Sequence, residues 1–195
     1  MRKLVLFAFF SALIVAAVPA MASGATLTAG GITLGAGDPI MATSSDLLFT
    51  GSSGLSLECA TRQVVGTYDG GTTIEIEEGT FTNATGGPCA TNNPSVTVHM
   101  TPINLPWVLH LNNNDVAEFT GMAFTATFTV GGTSVNHCTF TANNGVTSGT
   151  YNTTEPLKIT ISGANFTGAP VVNCGTAVLN GSFTLSSGGN HIEAH

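Results

Sequence analysis

Positive charge is almost missing from this chain. Of 195 residues only four are lysine or arginine. Two of them, Arg2 and Lys3, stand ahead of an uncharged apolar run from Leu4 to Val18. Pro19-Ala20-Met21-Ala22 follows, with small residues one and three positions before a cut after Ala22. This is the pattern of a secretory signal peptide, read as residues 1–22. The apolar run is shorter than the ~20 residues a spanning helix needs. No second long apolar run follows, so no transmembrane span is expected. With the leader set aside, Arg62 and Lys158 face eleven acids. Two cations cannot neutralise a phosphate backbone, which excludes nucleic acid as a partner. The same balance excludes anionic membrane surfaces. The expected location is extracellular or on the cell surface.

Charge of either sign is scarce, at 8% of residues against about 25% in ordinary domains. Charge-driven disorder is excluded all the same, because 43% of the chain is hydrophobic. Threonine, serine, asparagine and glycine are left to make the surface. Helical periodicity is absent beyond the leader. Catalytic signatures are absent too: no Gly-x-Ser-x-Gly, no Cys-x-x-Cys and no EF-hand spacing occurs. His191-Ile192-Glu193-Ala194-His195 is not the zinc-protease motif, since no Glu adjoins the first His; at the chain end it is expected to fray. The chain is therefore expected to be non-enzymatic, with no cofactor or metal implied.

What is present is strand chemistry. Ala123 to Val130 alternates apolar residues with threonine, as a half-buried strand does. Val96–Met100 and Trp107–Leu111 alternate as well, and Leu157–Ile161 and Leu179–Leu185 are further strands. Clusters such as Asp69-Gly70-Gly71, Asn112-Asn113-Asn114 and Gly131-Gly132 supply the turns. The fold class is all-β, an antiparallel β-sandwich or barrel. Ala25–Leu34 reads as a first strand that adds to a sheet edge of its own molecule, with exchange onto a neighbour as the alternative. The chain divides into an N-terminal strand segment, 23–54, and a β-domain, 55–195.

That domain is written twice. Ile74-Glu75-Ile76 recurs as Ile159-Thr160-Ile161, Phe81-Thr82 as Phe166-Thr167, and Cys89 as Cys174, all at one offset. Upstream, Gly66-Thr67-Tyr68 recurs as Gly149-Thr150-Tyr151, and Cys59 is echoed by Cys138. The related halves are about 55–95 and 134–190. Four cysteines in a secreted chain read as two disulfides with three connectivities. The duplication selects Cys59–Cys89 and Cys138–Cys174, each contributing about 3–4 kcal/mol on the chain-entropy account.

A few residues could carry contacts. Glu75 and Glu77 lie on one strand face, with Glu78 beside them; paired carboxylates suit Ca²⁺ or a glycosidase, and a solvated face is the plainer reading. If Val96–Met100 and Trp107–Leu111 form a hairpin around Thr101–Pro106, His99 and His110 become cross-strand neighbours able to share a metal. Trp107 alternates with Leu109 and Leu111 as a core residue would, or stands at a rim to touch sugar or hydrocarbon.

Cys59, Gly79-Thr80-Phe81-Thr82, Cys89, Leu105-Pro106-Trp107, Cys138 and Cys174 together resemble the small secreted bacterial activators of alkane oxidation, the PraB type. The likeness covers roughly Leu55 to Leu185, and Asn112 to Phe119 has no counterpart in it. It implies a non-enzymatic extracellular protein associated with hydrophobic substrates or the cell surface, and carries over no catalytic residue. The function expected from the whole is a secreted cell-surface or matrix protein, self-assembling or bound to surface components. The alternatives are a hydrophobic-ligand (alkane or lipid) binder or surfactant, and a glycan hydrolase using Glu75 or Glu77.

Overall fold

The computed structural model describes residues 26–170 and 174–195; the segment read as a signal peptide lies outside them. The chain runs through β1 (Leu27–Ala29), β2 (Ile32–Thr33), β3 (Pro39–Gly51), β4 (Ser56–Gly70), β5 (Thr73–Thr82) and β6 (Ala90–Thr91). It continues through β7 (Val96–Ile103), β8 (Trp107–Asn112), β9 (Val116–Thr120), β10 (Ala123–Val130) and β11 (Thr133–Ala142). The last strands are β12 (Val146–Tyr151), β13 (Lys158–Ala169), β14 (Thr176–Ser187) and β15 (Asn190–Ala194). The alternation predicted for these stretches is met by alternating burial: Leu109 and Leu111 point inward beside Trp107, and Phe124 and Ala126 point inward between threonines.

The strands close into an antiparallel barrel. β3 pairs with β4, β4 with β5, and β5 with β7 and β8 laid end to end. β7 and β8 pair with β10 and β9, which pair in turn with β11 and β12. β13 covers β11 and β12, β14 covers β13, and β14 returns to β3. Each wall position is the chain neighbour of the next, so the ring is an up-and-down barrel with eight positions. Closure leaves the barrel wall itself without the open edge that would otherwise template aggregation. β3 lies within the stretch read as an N-terminal segment, so the barrel begins at Pro39. Three wall positions are broken midway, between β7 and β8, between β9 and β10, and between β11 and β12. Each break holds a residue in the left-handed region: Asn104 (φ 57), Gly121 (φ 81) and Asn144 (φ 59).

The duplication is visible in register. Gly66, Thr67 and Tyr68 sit opposite Ile76, Glu75 and Ile74. Gly149, Thr150 and Tyr151 sit opposite Ile161, Thr160 and Ile159. Each half supplies four wall positions, first β3, β4, β5 and β7/β8, then β9/β10, β11/β12, β13 and β14. Both disulfides form as the repeat predicts, Cys59–Cys89 and Cys138–Cys174. Each ties the second wall position of its half to the connection that follows the third.

The two barrel ends differ. At one end β14 turns back into β15, which pairs with β1, and β1 with β2. Leu27, Leu157 and Ile192 are fully buried there, and the Leu157 N–H donates to the Ile192 carbonyl at 2.7 Å. The first strand therefore docks on its own molecule. The C-terminal residues expected to fray are instead held as β15, because Ile192 and Ala194 belong to the core. The other end carries both disulfides and is open.

The β3–β14 seam that completes the ring has a gap in its ladder between Asn180 and Thr184. One carboxylate stitches it. Asp46 Oδ1 accepts from the Ser182 N–H at 3.1 Å and Ser44 Oγ at 3.0 Å, and Oδ2 accepts from Ser182 Oγ at 2.8 Å. Burial opposes ionisation of Asp46, but the Ser182 and Ser44 hydrogen bonds and the nearby Lys158 charge outweigh it and hold the carboxyl below its usual range. A depressed carboxylate stabilises the fold fully above the unfolded pKa of about 3.9, and that contribution is lost as pH falls through the lower folded value. Urea unfolding of wild type and Asp46→Asn should accordingly show a stability gap at pH 6 that shrinks below pH ~4. An equal gap at both pH values would show that the charge on Asp46 does not hold the seam.

Candidate functional site

The inward residues of an eight-stranded barrel are just sufficient to fill it, or to leave room for one small ligand. Here they fill the closed half. The space among Ile40, Ile74, Trp107, Leu109, Phe119 and Leu185 amounts to about 20 Å³, and apolar walls keep such a space dry. The open half is different. A cavity of about 270 Å³ opens at the disulfide end, walled by β3, β4, β7, β10, β11 and β14. An engineered apolar cavity of about 150 Å³ already admits benzene, so this one has room for a ring or a short chain.

Its floor is a layer of phenylalanines. Phe124 on β10 stands at the centre, with ring centroids 5.0 Å from Phe49, 5.7 Å from Phe140 and 4.9 Å from Phe166. Phe49 and Phe124 meet edge to face, the favoured geometry of the ring quadrupoles. Leu57, Val96, Met100 and Phe128 make the sides, with the Cys138–Cys174 bridge in the wall. Val130 and Val135 stand at the rim, 42% and 59% exposed. The polar groups in the lining are Ser53 and Asn136, whose Oδ1 accepts from the His137 N–H at 2.9 Å. No charged side chain is among the described residues that line the cavity.

The residues singled out from sequence lie elsewhere. Trp107 is 3% exposed, and its indole N–H donates to the Ile103 carbonyl at 2.8 Å, so it is a core residue of the closed half and not a rim contact. His99 and His110 are not neighbours: β7 and β8 form no hairpin but run end to end along β5. The reason is closure. The far side of β5 must be covered along its length, β7 meeting Phe81 through Met100 and β8 meeting Ile74 through Leu109. His99 consequently faces Thr127, whereas His110 faces Thr73 and Glu118, with 3.2 Å from Thr73 Oγ1 to His110 Nδ1. Among the described residues no group of three or more His, Cys, Asp or Glu is placed to hold a metal.

Glu75 and Glu77 do point outward while Ile74 and Ile76 point in. A bulge opposite Val65 and Gly66 then changes the parity of β5, so that Phe81 returns to the interior and Glu78 joins its neighbours outside. Thr67 Oγ1 donates to Glu77 Oε1 at 3.2 Å. Glu77 and Glu78 border an open surface groove with Thr101, Pro102 and Leu105, and Glu75 stands apart from it.

The cavity was not legible from the sequence. Its walls come from six strands, and each residue, taken singly, reads as an ordinary inward position. The available signal was the density of phenylalanine, eleven residues against one tryptophan and two tyrosines. Comparisons with protein-family models, curated proteins and solved structures return no match to this chain.

Proposed function

We propose that this protein is a secreted, non-enzymatic binder of small uncharged apolar molecules, held in the open end of the barrel. The carrying observation is the 270 Å³ cavity with its phenylalanine floor, set in a barrel whose opposite end is packed shut. Concave apolar sites with a few polar groups are where small ligands bind. A lining without charged groups would leave a carboxylate unpaired at a cost of several kcal/mol, so the preferred ligand is neutral. Two disulfides suit an oxidising compartment. The resemblance to the PraB-type proteins points toward hydrophobic substrates as well. Assembly into a matrix by strand addition has little edge to use, because the wall is closed and the β15–β1–β2 extension ends in the two-residue strand β2.

The test is displacement of a neutral fluorophore. N-phenyl-1-naphthylamine should brighten on adding protein, and decane or decan-1-ol should displace it at lower concentration than decanoate does. Val96→Trp, which fills the mouth, should weaken binding on the order of tenfold or more. Absence of probe binding, or indifference to Val96→Trp, would overturn the assignment.

A further inference from the structure

Charge along the barrel axis is one-sided. At the closed end the loops and strand ends carry Asp38, Asp69, Asp115, Glu155 and Glu193, against the one cation Lys158 at the start of β13. Three of the four open-end connections, Ser52-Ser53-Gly54-Leu55, 83–95 and Gly131-Gly132, contain no charged residue, and in the fourth the described residues Pro170, Cys174 and Gly175 are uncharged as well. The acid nearest that end is Glu58, on the outer wall of β4 opposite Leu48 and Ala90. The most exposed apolar side chains of the open end, Val130 and Val135, stand on the β10–β11 hairpin beside the cavity entrance.

From this polarity we infer that the open end docks, mouth down, on an uncharged lipid surface. The inference rests on the ligand-binding reading and adds the partner from which the ligand passes. An apolar ligand has little solubility in water, so a cavity that opens within the docking face lets it cross without hydration of its surface. An interface of neutral lipid headgroups accepts the exposed valines and meets connections that carry no charge. The five acids of the closed end are held away from it, where they disfavour the reverse orientation and any anionic surface. The barrel wall is not the docking face: Thr97, Thr101, Thr125 and Thr127 point outward and the core is apolar, the reverse of a membrane-spanning barrel.

Flotation with phosphatidylcholine vesicles tests the inference on the purified protein. Binding is expected to pure phosphatidylcholine and to fall as phosphatidylglycerol is added. Val130→Asp with Val135→Asp should reduce it on the order of tenfold or more, since two carboxylates replace the apolar contacts of the docking face. Ile32→Asp is the control, because Ile32 is 74% exposed at the acidic end and its change should leave binding intact. Equal loss in both variants, binding that rises with anionic lipid, or no flotation at all would overturn the docking. The naphthylamine assay on the wild type separates the two readings. Probe binding there without flotation would overturn the docking alone, and no probe binding would remove the ligand-binding reading instead.

Discussion

Gly66→Ala and Gly149→Ala should each destabilise the barrel by about 3 kcal/mol or more, at the upper end of what overpacking costs, although each adds a single methyl group. A β-carbon on Gly66 would collide with the Glu75 carbonyl oxygen, and one on Gly149 would lie 2.5 Å from that of Thr160. The obstacle in both cases is backbone of the paired strand, which cannot rotate away as a side chain could. Relief requires the β4–β5 or β12–β13 ladder to open at the place where a buried tyrosine anchors it. Tyr68 O–H donates to the Gly71 carbonyl at 2.8 Å and Tyr151 O–H to that of Asn112 at 2.7 Å. Burial pushes both phenols up from their usual pKa, Tyr151 with a further push from Asp115.

Gly79→Ala supplies the contrast of sign. Its β-carbon would meet Val64 Cγ2 at 3.4 Å and Pro102 Cγ at 3.7 Å, ordinary contacts at an ordinary backbone angle. Removing a strand glycine there should leave stability unchanged or raise it by up to about 1 kcal/mol, by restricting the unfolded chain. Urea unfolding of the three variants decides the matter. Large and similar losses at 66 and 149 with none at 79 are expected from two halves built on one plan. A harmless Gly149→Ala would break the equivalence.

The same motif shows what a sequence can reveal. Gly-Thr-Tyr and Ile-x-Ile are short, local and repeated, and their pairing is a nearest-neighbour hairpin, so recurrence in the chain becomes recurrence in register. The cysteines follow because each bridge lies within one half. Closure was harder to see. β3 and its counterpart β9/β10 share no motif, since one is continuous and the other breaks at Gly121. For the same reason β7 and β8 looked like a hairpin: the break at Asn104 carries turn chemistry, but the demand of β5 for cover along its length overrides it. That is tertiary context deciding a local ambiguity, and it is what separated His99 from His110. The cavity is further from reach still, being defined by volume that no residue occupies.

Phe124→Ala joins stability to the proposed function. Its ring touches the layer on several sides, including Phe81 at 6.4 Å, and truncating a buried phenylalanine costs about 3–5 kcal/mol. Against a total stability of about 5–15 kcal/mol this is a large fraction. With roughly 2–4 °C lost per kcal/mol in a domain of this size, Tm should fall by about 6–20 °C. The truncation also deepens the cavity floor toward the packed half of the barrel. An apolar ligand that fills the enlarged space should return part of the loss, about 2.7 kcal/mol at a hundred times its Kd. Longer neutral chains should therefore raise the Tm of Phe124→Ala more than that of wild type, and Phe124→Leu should fall between. Thermal melts with and without decane and decan-1-ol measure this directly. If the variant loses stability but no neutral apolar compound restores any of it, the phenylalanine layer is only a core, and the open end of the barrel is not a binding site.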